Sequence, residues 1–316
     1  MTTKASLRAA GQRPNRALKP RSVFKNYDLY LMLVPVIIYF IVFEYLPMYG
    51  ISIAFKNFSP RLGIWQSEWA GLRHFERFFS SFRFEGLIWN TVSISFLSLV
   101  FGFPIPIIFA LLVNEVHNKR SSKFIQTVSY MPHFLSTVVV VSILLTFTSP
   151  SVGIVNRVIE FFGGDAQYFM AQPEWFKPLY IISGIWQGYG WSSIIYSAAI
   201  ASIDAEQYEA ADVDGATKLQ KILYITIPSI IPTAMILLIL QAGSVMSVGF
   251  EKVYLMQNDL NISASEVIST YVYKVGLLSA DFSFSAAVGF FNSVINFALI
   301  VLVNWAARRF GEMRLW

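Results

Sequence analysis

Six stretches of the chain are apolar on every face over the length a bilayer requires, near 29–53, 88–113, 124–148, 179–203, 226–250 and 284–307. A helix needs roughly 20 mostly apolar residues to cross the hydrocarbon layer. None of the six alternates with the period of two that marks a barrel strand. The expected fold is therefore all-α: a polytopic membrane helical bundle with six transmembrane helices. Pro35, Pro47, Pro104, Pro106, Gly184 and Gly188 fall inside these stretches. Such residues are tolerated there because neighbouring helices satisfy freed backbone groups.

Composition agrees with this pattern and excludes most alternatives. Of 316 residues, 55% are hydrophobic and only 14% charged, against about 25% charged in soluble domains. The mean hydropathy is +0.54. Disorder, a collagen-like fibre and a large soluble enzyme are excluded. The absence of cysteine removes disulfides, thiolate metal sites and a cysteine nucleophile. No basic, aromatic-interleaved face points to nucleic acid.

The few charges set the expected orientation. Lys4, Arg8, Arg13, Arg16, Lys19, Arg21 and Lys25 make residues 1–27 a basic tail, and 28–316 the membrane domain. Lys119, Arg120 and Lys123 lie in one tight loop, and Arg308, Arg309 and Arg314 end the chain. Positive residues stay inside, so both termini are expected in the cytoplasm of a bacterial cell, with the first helix uncleaved. The long loops 54–87, 149–178 and 251–283 then face outward. Glu44 is the one charge within a span, near Tyr45 and Pro47, and reads as an interfacial or structural group. His133 reads as a packed group, since no second ligand-type residue is near it.

One inward loop breaks the charge rule. Residues 204–225 carry Asp204, Glu206, Glu209, Asp212 and Asp214 against Lys218 and Lys221. The loop reads as two short helices broken at Gly215, a residue suited to the positive φ that ends a helix. An acidic helix–turn–helix with small residues on its surface is a plausible docking knob for another protein.

Glu209-Ala210-Ala211, then Gly215 after three residues, then Ile225-Thr226-Ile227-Pro228 after nine more, resembles the EAA signature of ABC importer permeases. Ile227 alone departs, from a Leu. YLPMYGISIAFKNF, WAGLRHFERFF, NTVSIS (90–95), YMPHF (130–134) and IWQGYGWSSIIYSAAIASID (185–204) are similar to carbohydrate-uptake permeases. The ending GLLSADFSFSAAVGFFNSVINF with Trp316 most resembles the branch for polysaccharide-derived oligosaccharides, including alginate and rhamnogalacturonan importers.

The resemblance implies a cytoplasmic coupling helix between the fourth and fifth spans, within 204–228, seated in an ATPase. Glu209, Ala210, Ala211, Asp214, Gly215, Ile225 and Pro228 would form this contact. It further implies two cytoplasmic ATPase subunits holding ATP and Mg, a second and different permease, and an external solute-binding protein that delivers the oligosaccharide. This chain would bind no cofactor and hydrolyse nothing, in keeping with the absence of a G-x-x-x-x-G-K-[ST] phosphate loop from its sequence.

Candidate substrate contacts are the polar residues inside spans: Tyr189, Trp191 and Tyr196 in the fourth, Gln241 in the fifth, and Asn292, Ser293 and Asn296 in the last. The other reading of such residues is that they hydrogen-bond across helices and hold the bundle together. The acidic branch and Arg61, Arg73, Arg77 and Arg83 in the outer loops suit an anionic sugar. The rival classes are an ion-coupled secondary sugar transporter and a non-transporting scaffold. The first needs intramembrane charges that five spans lack, and neither explains the acidic loop.

Overall fold

The computed structural model describes residues 27–243 and 245–310. They fall in two compact units, one ending at Gly50 and the other beginning at Ile51. The expected basic tail up to residue 26, together with Arg314 and Trp316, lies outside the described residues. In the first unit, helix α1 (Tyr27–Phe40) continues through a π-turn at Ile41–Tyr45 and a further turn at Leu46–Met48. Every side chain from Tyr30 to Tyr49 is exposed. A helix hydrophobic all round is stable only in an apolar surrounding, so lipid is its solvent. Glu44 sits in the π-turn.

The second unit opens with a 3₁₀ stretch up to Phe55 and a short antiparallel ribbon. Strand β1 (Lys56–Asn57) pairs Lys56 with Trp69 and Asn57 with Glu68 of β2 (Glu68–Trp69). This ribbon is a departure from a helix-only chain. His74 of α2 (Arg73–Phe79) bonds the Lys56 carbonyl at 3.2 Å. Helices α3 (Phe84–Gly102) and α4 (Pro104–Asn114) follow with only Phe103 between them.

Helix α5 (Lys119–Tyr130) starts at Asn118, whose side chain accepts from the Arg120 and Ser121 amides at 2.9 and 3.3 Å. The third apolar stretch, expected as one helix, is broken. Pro132 lies in a 3₁₀ turn (Met131–Phe134), Leu135 is extended, and Ser136 caps α6 (Thr137–Phe147), leaving a 99° bend. The break stays satisfied because Gln187 donates to the Leu135 carbonyl at 3.0 Å.

Helix α7 (Ile154–Phe161) precedes α8 (Pro173–Ala201), which is 29 residues long. After α8 come α9 (Ala205–Val213), α10 (Lys218–Lys221), a π-turn at Ile222–Thr226, and α11 (Ile227–Ala242). The fifth apolar stretch, expected to continue to residue 250, is helical only to Ala242. At Gly243 an added Cβ would meet the Ile300 side chain at 2.8 Å, so the missing side chain lets the two helices pack closely. The chain then passes through α12 (Phe250–Met256) and α13 (Ile268–Tyr273) to α14 (Phe282–Phe310).

By length and composition, Tyr30–Phe55, Phe84–Asn114, Lys218–Ala242 and Phe282–Ala306 can each cross a membrane, and the bent α5–α6 pair counts as a fifth. At 1.5 Å per residue α8 is about 44 Å long, enough to span. Its glycines, serines and Gln187 make it less apolar than the others.

Hydrogen bonds tie the long loops to one another. Asn156 is saturated: it donates to the Thr148, Ser149 and Gln167 carbonyls and accepts from the Gln167 amide at 2.8 Å. Asn258 and Asn261 both donate to the Met170 carbonyl, at 2.8 and 3.0 Å. Asn90 donates to the Ser263 and Glu266 carbonyls, and Thr91 accepts from the Ile268 amide at 3.1 Å. Arg77 pairs with Asp281 at 2.7 Å and Arg83 with Glu266 at 3.2 Å. Loops 54–87, 149–178 and 251–283 therefore meet at one end of this unit. At that end Phe78, Leu87, Ile268, Tyr271, Phe284 and Val288 form an apolar core. A second core joins α4, α8 and α11 through Ala110, Tyr196, Ile200 and Ile230.

Candidate functional site

The acidic loop folds as two short helices that meet at Gly215. The Asp204 side chain accepts from the Glu206 amide at 3.1 Å and so starts α9. Gly215 ends it at φ +73°. The Ala216 amide reaches back to the Ala211 carbonyl at 2.9 Å, and the Gly215 amide to Asp212 at 3.1 Å. That is the bond pair of a Schellman close. Thr217 and Gln220 then form a reciprocal capping box at the start of α10.

Two contacts fasten this unit to its own chain. The Tyr208 hydroxyl bonds Thr226 Oγ1 at 2.9 Å, and Lys221 pairs with Asp212 at 2.7 Å. Thr226 lies in the π-turn that leads into Pro228 and α11. The Tyr208–Thr226 bond therefore joins α9 directly to the turn at the foot of α11. The outer face is left open: Glu209, Ala210, Asp214 and Gly215 are exposed, and Val213 is 88% exposed. Ala211 and Ile225 are half-buried and Pro228 is exposed. Asn114, Glu115 and His117 from the end of α4 border the same hollow of about 330 Å³ as Tyr208, Lys221 and Thr226.

A cavity of about 400 Å³ lies between α3, α8 and the segment 245–252. Its polar lining includes Ser95, Ser98, Gln187, Tyr189, Ser247 and Lys252. Gly184 and Gly188 also line it, whereas a Cβ at Gly190 would collide with the Ser129 carbonyl. Gly190 is therefore a contact between α5 and α8, and Gly188 faces open space.

Lys252 carries the only formal charge in this lining. It is 8% exposed, donates to the Tyr180 carbonyl at 2.9 Å, and lies 4.7 Å from the centre of the Tyr180 ring. Beyond the end of the fifth apolar stretch, it has its pKa lowered by burial to about 8. A buried ammonium without a carboxylate costs several kcal/mol.

The predicted contacts are divided among several surroundings. Tyr189 and Gln241 line the cavity, and Gln241 also borders a neighbouring space of about 370 Å³ with Trp191 and Tyr196. Trp191 stacks on His133 at 4.6 Å, and Tyr196 is 2% exposed in the α4–α8–α11 core. Asn296 bonds the chain just after α11, accepting from the Met246 amide at 3.0 Å and donating to Ser247 Oγ at 2.9 Å. Ser293 bonds the Gly289 carbonyl within its own helix. Asn292 Oδ1 is buried without a hydrogen-bond partner. Of the arginines in loop 54–87, Arg77 and Arg83 are held by acids of the same chain.

Lys252, Tyr180 and Gln187 escaped prediction. Lys252 sits in what reads as a loop, and its partner Tyr180 is 72 residues away.

A helical bundle with apolar spans, an exposed capped knob and a polar cavity fits a transport permease. The chain belongs to the binding-protein-dependent transport system inner membrane component family, whose pattern matches residues 102–312. It is 46% identical to the polygalacturonan/rhamnogalacturonan transport system permease protein YteP of Bacillus subtilis (strain 168) over 284 residues, 90% of this chain and 88% of that one. It is similar to a subunit in the crystal structure of a bacterial ABC transporter that imports the acidic polysaccharide alginate. That match has 44% identity and a TM-score of 0.85 over 91% of this chain and 97% of the other. The crystal structure of a bacterial alginate ABC transporter in complex with an alginate pentasaccharide-bound periplasmic protein matches at 42% identity and TM-score 0.86. It covers 93% of this chain and 98% of that one. As a permease component the chain is not an enzyme; ATP is hydrolysed on a separate subunit.

Proposed function

We propose that the chain imports an acidic oligosaccharide across the bacterial inner membrane, by alternating access, as one permease of an ATP-driven transporter. The observation that carries this reading is the similarity to an alginate-importer subunit over nine-tenths of both chains. An external solute-binding protein delivers the sugar, a second and different permease completes the pathway, and two ATPases with ATP and Mg drive it.

Six spans with both termini in the cytoplasm fit the loop contacts. Loops 54–87, 149–178 and 251–283 bond together, while the chain after α4 and the α9–α10 knob border one hollow. Alternate loops on alternate sides require α8 to cross between them, which its length allows. The Lys119, Arg120 and Lys123 loop then lies inside.

The knob docks in the ATPase. Glu209 offers a charge-assisted contact to a basic group, Ala210 and Ala211 permit close approach, and Asp214 and Gly215 shape the turn. Ile225 and Pro228 join it to α11, so ATPase closure moves that helix through Tyr208 and Thr226. An ion-coupled carrier would place carboxylates along its pathway, and the cavity lining has none.

The test is uptake of a labelled uronate oligosaccharide into proteoliposomes containing all subunits and the binding protein. ATP-dependent accumulation is expected. Accumulation driven by an ion gradient without ATP would contradict the proposal.

A further inference from the structure

Lys252 is the one ionised group in the cavity lining, and no acid answers it. Among the described residues it forms no ion pair. Glu251 beside it is exposed, and Glu266 is taken by Arg83 and Lys274. Of its three N–H donors, one is spent on the Tyr180 carbonyl at 2.9 Å. The ring of Tyr180 supports the ammonium from the side at 4.7 Å, a geometry that favours positive charge. The Tyr180 hydroxyl lies against Gly249, where an added Cβ would come within 3.3 Å of it.

Space is reserved around this cation. A Cβ at Gly184 would lie 3.1 Å from Lys252 Nζ, so a larger residue there would press on the ammonium. Ser95, Ser98, Gln187 and Ser247 line the same cavity and can bond sugar hydroxyls. A merely structural lysine would be expected to bond into its surroundings with all its donors, or to meet a carboxylate.

We infer that Lys252 is the counter-ion for a carboxylate of the translocating sugar, and that it selects uronate units over neutral ones inside the membrane domain. The inference rests on the reading of the chain as an acidic-oligosaccharide permease. A carboxylate entering the cavity compensates the buried ammonium, whereas a neutral sugar leaves it uncompensated. Discrimination thus comes from a penalty on the wrong substrate as well as from a bond to the right one.

The test uses the complete transporter in proteoliposomes with one binding protein and two substrates of equal length. One is a uronate oligosaccharide and the other its carboxyl-reduced, neutral counterpart. The ratio of their ATP-driven uptake rates is compared between the parent, Lys252→Gln and Lys252→Arg. Any preference of the binding protein cancels in that comparison. Lys252→Gln is expected to lower the acidic-to-neutral ratio at least about tenfold, the size of one charge-assisted hydrogen bond. Lys252→Arg, which keeps the charge, is expected to retain most of the ratio. An unchanged ratio in assembled Lys252→Gln transporter overturns the role of Lys252 and leaves the importer reading standing. A parent that takes up neither sugar with ATP overturns the importer reading, and the role of Lys252 with it.

Discussion

Gly215 stands where α9 must stop and reverse, at φ +73°, and beside it Glu209 presents its carboxylate to solvent. Both features were legible in the sequence because a helix cap is a local matter of a few neighbouring residues. Glu209→Lys is expected to leave the complex assembled but to cut ATP-driven uptake about tenfold or more, by turning an attraction to a basic partner into repulsion. Uptake and ATPase rates measured together on the same proteoliposomes check this. Unchanged coupling would place the docking contact elsewhere. Tyr208 makes a smaller contribution through its 2.9 Å bond to Thr226. Tyr208→Phe removes a bond worth about 1 kcal/mol. Amide hydrogen exchange in residues 205–213 should then rise about fivefold, with the remainder of the chain unaffected.

Among the elements, amphipathic and apolar patterns predicted where helices lie better than where they break. At the 99° bend after Phe134, Gln187 of another helix donates to the Leu135 carbonyl. After α11, Gly243 packs against Ile300. Neither packing partner is near in sequence, so these contacts could not be read from it, although Pro132 and Ser136 mark the first break locally. The same holds for Asn90, Asn156 and Asn261, which look like ordinary polar residues and turn out to fasten the long loops. The glycines of α8 separate two roles that composition cannot tell apart. Gly190→Val should drive α5 and α8 apart, since its Cβ would enter the Ser129 backbone. A loss of about 1–3 kcal/mol is expected for such overpacking. Gly188→Ala, facing open space, should leave stability unchanged or raise it by up to about 1 kcal/mol. Thermal unfolding of the purified complex in detergent compares the two. Equal midpoints would contradict the assigned packing.

At the level of the whole molecule, the chain is a conduit whose energy source is elsewhere. Its sparse charge is concentrated at the loops, at the α9 knob and at Lys252, and each location has a distinct job in the account. Charge read from sequence alone does not give partners: Arg77 and Arg83 pair with Asp281 and Glu266, while the unanswered cation lies buried in the cavity. The central claim is ATP-driven import of an acidic oligosaccharide, and uptake by the complete transporter in sealed proteoliposomes tests it most directly. The account predicts accumulation of the uronate oligosaccharide that requires both ATP and the loaded binding protein. Accumulation that follows an ion gradient and persists without ATP would contradict it.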